Sequence, residues 1–240
     1  MRPAALALAL LAPALRADGL SDLRAALQRL PATQPVKATV DCQIWNRTVK
    51  DKQPKIIQGQ IQVKLEEGPA GLKLGWDKAE LDHIQAATKA KDLGPQQAIG
   101  TVGAAQVETL LDAAKDLVDI LEGGQIQEDR TDTWQGRPAR LLIVKLGPPN
   151  DMDASDRKHI KSYSHVVKVW MAPDGTPLGL SGQEDYKASF FFIGWEQHTK
   201  ESRTFARVGD RLVTAHDESE SNGSGAGQQV QLKTVINAKF

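Results

Sequence analysis

Apolar residues recur with a helical period at the start of the chain and with a strand period soon after it. Leu20, Leu23, Leu27 and Leu30 are spaced by three or four positions, which predicts an amphipathic helix with Ser21 as its N-cap. Downstream, apolar and polar residues alternate in three successive stretches, which cover residues 36–44, 57–65 and 72–76. They predict a meander of three antiparallel strands, with one buried face and one face in water.

The period becomes helical again between residues 78 and 122. A weak helical pattern over 78–92 precedes a strong one over 104–122, which Gly123 ends as a C-cap. The apolar stripe of the second helix contains Val107, Leu110, Leu111, Ala114, Leu117, Val118 and Leu121. This stripe is wide enough to cover one side of a sheet, so residues 78–122 are predicted to form a helical insertion.

Strand patterns return after residue 124 and continue to the end of the chain. They predict about seven further strands, and in the last of them alternate positions from Val230 to Phe240 share one face. The order of helix, three strands, helical insertion and seven strands predicts an α+β fold on a large, curved antiparallel sheet. No internal repeat interrupts residues 18–240, which are therefore predicted to form a single domain.

The first 17 residues have the composition of a secretory signal peptide. Arg2 precedes an apolar run from Ala4 to Leu15, and small residues that favour cleavage after Ala17 follow. The run has about 12 residues, whereas a membrane-spanning helix needs roughly 20. Residues 1–17 are therefore predicted to be removed, and the remaining chain to be exported.

Charge and cysteine content narrow the class of protein. The chain has 30 basic and 30 acidic residues, and loss of Arg2 and Arg16 with the signal peptide leaves a small negative charge. Such a balance argues against nucleic acid as the partner, because phosphate binding requires a basic surface. Cys42 is the only cysteine, so no intramolecular disulfide can form and the fold depends on its apolar core.

Catalytic and metal-binding patterns are missing from the sequence. The five histidines are scattered, with no spacing that places two of them on one helical turn, and no Gly-x-Ser-x-Gly motif occurs. We therefore expect neither an enzyme nor a metal site or cofactor.

Aromatic residues are concentrated in the stretch DYKASFFFIGWEQ at residues 185–197. It holds five of the 12 aromatic residues of the chain. Interpreted as one strand, it places Tyr186, Ala188, Phe190 and Phe192 on the buried face and Phe191, Ile193 and Trp195 on the opposite face. The second group is either covered by the insertion or by a bulge at Gly194, or exposed as a contact for a membrane or a partner.

Three segments resemble the periplasmic lipoprotein carrier family, the LolA/LolB-like superfamily. They are DGLSDLRAALQRL at 18–30, IQGQIQVKLEEGPAGLKLGW at 57–76 and VKVWMAPDGTPLGLSGQEDY at 167–186. The resemblance implies a strongly curved antiparallel sheet, an incomplete β-barrel, whose concave face is plugged by helices. It also implies a periplasmic location and an apolar cavity between sheet and helices that holds acyl chains.

The resemblance suggests which side chains line such a cavity. They are Val63, Leu65, Leu74, Trp76, Leu110, Leu117, Trp170, Phe190 and Phe192. The chain departs from the family at the turn after the second strand, where the family has an Arg-Pro pair and Pro69 here follows Gly68. The expectation therefore covers the fold and an apolar cavity and does not extend to the transport of lipoproteins.

Two functions follow from these expectations. The first is an exported periplasmic binding protein that holds a lipid, a lipoprotein acyl chain or another apolar ligand in its cavity. The alternative is a non-enzymatic interaction or sensor module of the cell envelope, with a filled core and a contact surface near Phe191–Trp195. The expected partners are a lipid or an acylated protein, an envelope protein and a membrane surface contacted peripherally.

Overall fold

The structure is a computed structural model that describes residues 18–149, 152–153, 157–190 and 193–240. The predicted signal peptide lies outside the described residues. The described helices are α1 Gly19–Leu27, α2 Lys78–Lys89, α3 Gly94–Thr101, α4 Ala104–Leu111 and α5 Ala113–Ile120. The strands are β1 Val36–Lys50, β2 Gln53–Gly68, β3 Gly71–Gly75, β4 Gln125–Trp134, β5 Arg137–Leu146, β6 Ile160–Met171, β7 Pro177–Phe190, β8 Ile193–Val208, β9 Arg211–Gly225 and β10 Gln228–Lys239.

The ten described strands form one antiparallel sheet in the order β3-β2-β1-β10-β9-β8-β7-β6-β5-β4. Neighbouring strands are consecutive in the chain except for β1 and β10, whose pairing joins the first three strands to the last seven. β3 and β4 are the two edges and do not pair with each other, so the sheet is open. The predicted α+β class with a large antiparallel sheet is confirmed.

The predicted period-two pattern is confirmed in the first strands. Val36, Val40 and Cys42 are buried on β1, and Ile61 and Val63 are buried on β2. Both strands extend further than the apolar pattern indicates, because the ladder continues through polar residues to the turn at positions 51 and 52. The ends of β1 and β2 next to this turn therefore extend beyond the apolar core.

The first helix lies on the predicted apolar stripe but begins earlier than predicted. Leu20, Leu23 and Leu27 are buried, as their spacing requires. The N-cap is Asp18 rather than Ser21, since the Asp18 carboxylate accepts a hydrogen bond from the backbone N–H of Leu20 at 3.3 Å. An ionised carboxylate is favoured at a helix N-terminus by the helix dipole.

The predicted helix over 104–122 is two helices. Asp112 leaves the helical conformation at φ −136° and ψ 68°, and its carboxylate caps α5 by accepting from the N–H of Lys115 at 3.1 Å. The break rotates α5 so that Leu117 faces the sheet while Val118 is 42% exposed. Val118 was therefore wrongly predicted to be in the core, because a single continuous stripe was assumed.

The helices pack on one face of the sheet and divide the apolar core into two clusters. The first core cluster contains Leu20, Leu23, Leu27, Leu30, Ala113, Ala114, Leu117, Leu121, Leu142, Val144, Leu146, Val167, Val169, Met171, Leu180, Phe205 and Leu212. The second core cluster contains Val36, Ala38, Val40, Cys42, Ile44, Ile61, Val63, Leu65, Ala98, Val102, Val107, Leu110, Leu111, Ile236 and Ala238. The break at Asp112 falls where the helices pass from the second cluster to the first.

Replacing Gly59 with valine is expected to destabilise the protein by about 1–3 kcal/mol or more, because it overfills a close backbone contact. A Cβ on Gly59 would lie 2.0 Å from the carbonyl oxygen of Gly94, at the start of α3. Chemical denaturation measures the effect. Gly100→Ala on the same helix is the control, since a Cβ there has no neighbour within 4 Å. Equal unfolding free energies for the two variants would contradict the contact.

Candidate functional site

Four of the nine predicted cavity residues lie inside the two core clusters. Val63, Leu65 and Leu110 are at most 2% exposed in the second core cluster, and Leu117 is 0% exposed in the first. Each is covered by side chains of this chain, from the sheet on one side and from the helices on the other. The structure therefore shows a packed interface at these positions.

Leu74 and Trp76 lie at the rim of the second core cluster. Leu74 lies on the edge strand β3, is paired with Leu65 of β2 and is 38% exposed. Trp76 follows β3 and is half-buried against the cluster, and its indole N–H has no hydrogen-bond partner within the described part of the protein. These two residues lie beside the packed interface, at the open edge of the sheet.

Trp170 was predicted to line the cavity and lies on the other face of the sheet. Val169 and Met171 belong to the first core cluster, so strand alternation directs Trp170 away from it. Its ring lies against Trp134 with centroids 4.8 Å apart, and its indole N–H donates to the Asp132 carboxylate at 3.2 Å. The prediction was wrong because the apolar character of the ring was taken as a sign of the buried face.

The aromatic stretch belongs to two paired strands, where a single strand was predicted. β7 ends at Phe190 and β8 begins at Ile193, with these two residues directly opposite each other. Ala188 faces Trp195 in the same ladder, so the two residues share one face. Trp195, and Ile193 two positions before it on the same strand, were therefore assigned to the wrong face. Phe191, Phe192 and the side chain of Phe190 lie outside the described residues.

The helix-facing side of the sheet continues beyond the helices. Arg203 contacts Asp116 of α5, which shows that odd positions of β8 face the helices. Counting back along β8 by twos leads to Trp195, which is 39% exposed on the same side. On β10 the same side carries Val230 and Leu232, which are 38% and 37% exposed. The alternate residues of β10 do share one face, as predicted, but Val230 and Leu232, the first two of them, are not covered by the helices.

Small residues separate these exposed apolar side chains. β9 lies between β8 and β10, and its positions 219, 221, 223 and 225 on this side are Ser, Ser, Gly and Gly. The indole of Trp195 lies across Gly225, where an added Cβ would approach it to 2.2 Å. We call this surface the trough: a floor of Ser219, Ser221, Gly223 and Gly225, with Trp195 on one side and Val230 and Leu232 on the other.

An ionic cluster separates the trough from the helix-covered core. Arg203 contacts Asp116, and its Nη2 lies 3.2 Å from Glu201 Oε2 and its Nε 3.7 Å from Asp217 Oδ2. Gln106 of α4 donates to Asp217 at 3.2 Å, so both α4 and α5 are attached to the sheet here. One guanidinium thus faces three carboxylates.

Burial is the largest influence on the pKa values of the three carboxyl groups in the ionic cluster. It raises the pKa of Asp116, Glu201 and Asp217 above their ordinary values, while the charge of Arg203 acts in the opposite direction. The pKa of Arg203 is raised because the three carboxylates outweigh the cost of burying its charge. The cluster gives the inner end of the trough a negative, hydrogen-bonding boundary.

Sequence analysis missed this cluster, although a signal was present. Arg203 and Asp217 occupy strand positions whose neighbours two residues away include apolar side chains, so the alternation assigns them to the buried face. A charged residue at such a position requires a partner of opposite charge. The sequence cannot identify that partner, because Asp116 comes from a helix 87 residues away.

Three further features concern metal binding, membrane spanning and the reactivity of the cysteine. Within the described ranges, no three His, Cys, Asp or Glu side chains come together as metal ligands, and no helix is long and apolar enough to cross a membrane. Burial raises the pKa of Cys42 to about 12, so its thiol stays protonated at neutral pH. Comparison of the chain with protein-family models and with curated proteins gives no match.

Proposed function

We propose that the protein is an exported, periplasmic binding protein that holds an acyl chain or another elongated apolar ligand in the trough. The observation that supports this proposal is the uncovered part of the helix-facing side of the sheet. Trp195, Val230 and Leu232 continue the side that is apolar in the core, yet each is more than a third exposed. Exposed apolar side chains around a concave floor are typical of a ligand site.

The chemistry of the trough suits an acyl chain. Serine and glycine on the floor allow a ligand to approach the backbone closely, while the Trp195 indole and the side chains of Val230 and Leu232 provide apolar contact. The β8 side also carries Gln197 and Thr199, beside Gly223 and Ser221. Removing each CH₂ of a ligand from water is favourable by about 0.8 kcal/mol, so a long chain gains more than a compact ligand. The ionic cluster closes the inner end with charged side chains, so an acyl chain is expected to lie between the cluster and the open end of the trough, with its polar headgroup at the open end.

The proposal also includes the curvature of the sheet. A strongly curved sheet, forming an incomplete β-barrel with helices in its concave face, would bring the trough walls on β8 and β10 toward each other. Support comes from the length of β8 and β9, which have 16 and 15 residues, and from the packing of all core helices on one side. Large antiparallel sheets of long strands twist and curl rather than remain flat.

A second candidate is the interaction or sensor module, which the filled core favours. Val63, Leu65, Leu110 and Leu117 are packed and buried, so no ligand is needed to complete the core. In that case the exposed residues Ile193 and Trp195 would contact a protein. The two candidates differ in whether the purified protein takes up a small apolar ligand.

Native mass spectrometry of the purified protein with added hexadecanoic acid tests the proposal. We expect a one-to-one adduct, and Leu232→Lys is expected to weaken it about tenfold or more, because a lysine charge would have to be buried against the chain. Leu81→Lys on α2 is the matched control, since Leu81 is also exposed but lies outside the trough. Absence of an adduct, or equal loss in both variants, would contradict the proposal and favour the interaction module.

A further inference from the structure

Three hairpins of the sheet turn at the same end. β1–β2, β9–β10 and β7–β8 are consecutive in the strand order, so the strand ends at Lys50 and Gln53, at Gly225 and Gln228, and at Phe190 and Ile193 lie along one edge. A cleft of about 690 Å³ is lined by residues of all three: Val49 and Lys52, then Ser224–Gln229, then Ile193 and Gly194. We call this region the three-hairpin end.

The three-hairpin end exposes large aliphatic side chains. Ile56 on β2 is 54% exposed and Ile193 on β8 is 44% exposed. Ile56 is paired with Arg47 in the β1–β2 hairpin and Ile193 with Phe190 in the β7–β8 hairpin, so the two lie on the hairpins that flank β9–β10 in the sheet. Neither side chain belongs to either core cluster, so neither contributes to the packing of the core.

The same end carries positive charge. Lys50, Lys52 and Lys55 are exposed around the β1–β2 turn, where Asp51 is the only acidic residue. Within the described part of the chain none of these three ammonium groups forms an ion pair. Exposed lysines beside exposed isoleucines match the anionic headgroups and the apolar interior of a lipid surface.

We propose that the three-hairpin end docks on an anionic phospholipid bilayer. The lysines lie against the headgroup phosphates, and Ile56 and Ile193 enter the boundary between headgroups and acyl chains. A bilayer is favoured over a protein because the lysines are exposed and held in no fixed geometry, which suits a fluid array of phosphates. The docking goes beyond the proposed ligand binding, since it does not require an occupied trough.

Co-sedimentation of the purified protein with vesicles tests the docking. We expect binding to vesicles of equal parts phosphatidylcholine and phosphatidylglycerol, and much weaker binding to phosphatidylcholine alone. The charge variant is Lys50→Glu with Lys52→Glu and Lys55→Glu, and its control is Lys73→Glu with Lys78→Glu and Lys89→Glu. The charge variant is expected to bind on the order of a hundredfold more weakly than the wild type, because each lysine near the surface contributes separately. The control, with the same net charge, is expected to bind several-fold more weakly at most.

A second pair of variants tests the apolar contact. Ile56→Ser with Ile193→Ser is expected to weaken vesicle binding about tenfold or more, whereas Leu81→Ser with Leu93→Ser, which removes equally exposed leucines elsewhere, is not. The docking is overturned if the wild type stays in the supernatant with anionic vesicles, or if target and control variants lose binding equally. Uptake of hexadecanoic acid by the charge variant should remain normal, which separates this inference from the proposed ligand binding.

Discussion

Replacing Arg203 with methionine is expected to lower the free energy of unfolding by about 3–5 kcal/mol at neutral pH. Methionine preserves most of the side-chain volume but leaves Asp116, Glu201 and Asp217 without their cation. The Arg203 side chain is 14% exposed, and those of Asp116 and Asp217 are 17% and 11% exposed, so water compensates only in part. Urea denaturation measures the loss.

The pH dependence of the Arg203→Met variant has a definite sign. The three carboxyl groups have pKa values raised by burial, so the folded state binds protons more readily than the unfolded state. The charge of Arg203 lowers these pKa values, so its removal raises them further, and the variant should gain more stability than the wild type as the pH falls from neutral toward the ordinary values of 3.8 and 4.5; its deficit should shrink over that range.

The control for Arg203 is Arg130→Met. Arg130 pairs with Glu128 but is 52% exposed, so its removal is expected to change the stability by less than about 1 kcal/mol. If Arg203→Met cost no more than Arg130→Met, or if its deficit grew on mild acidification, the ionic cluster would not be the attachment that we describe.

Replacing Arg211 with methionine is expected to cost about 3 kcal/mol, because three elements lose a common donor. Arg211 Nε donates to the Gln34 carbonyl at 2.7 Å, and Nη1 donates to Glu67 Oε2 at 2.5 Å and to the Leu111 carbonyl at 3.5 Å. Arg211 is 5% exposed and its bond to the Leu111 carbonyl is buried, so that acceptor loses its donor without gaining water, whereas the Glu67 side chain is 35% exposed and is partly hydrated once the guanidinium is gone.

The Arg211→Met variant should also show a local change, in the hydrogen exchange of α4, besides the loss of overall stability. Leu111 is the last residue of α4, so losing the donor to its carbonyl should increase hydrogen exchange near the end of that helix. Arg207→Met is the control, since Arg207 is exposed and bonds only to the nearby carbonyl of Gly209. Equal stability of the two variants would show that Arg211 does not hold these elements together.

Much of the fold could be predicted from the sequence, because burial on one side imposes a period on each element. The three leucines of α1 and the alternating residues of β1 could be assigned to the buried side without knowledge of what covers them. The break at Asp112 could not be predicted, because a helix-breaking aspartate and an ordinary helical one are identical in the apolar pattern. The face of Trp195 depended on where β7 ends, and the strand pattern runs through that turn without a glycine or proline to mark it.

The candidate site was less predictable than the fold. Packing between α4, α5 and the sheet is a matter of side-chain volume, so the sequence could not show that Leu110 and Leu117 fill the space in which a cavity was expected. The trough depends on three strands whose register sets Gly223 beside Val230, and residue spacing does not determine that register. Arg203 and its carboxylates come from separate elements and are brought together only by folding.

The most direct test of the account is to locate a bound acyl chain by NMR. Addition of spin-labelled fatty acid should broaden the indole N–H signal of Trp195 and leave that of Trp76 sharp, because Trp195 borders the trough and Trp76 lies beside the packed second core cluster. Broadening of Trp76 without Trp195 would place the chain between the helices and the sheet, and two unchanged signals would show that no acyl chain binds. Either result would contradict the trough as the ligand site.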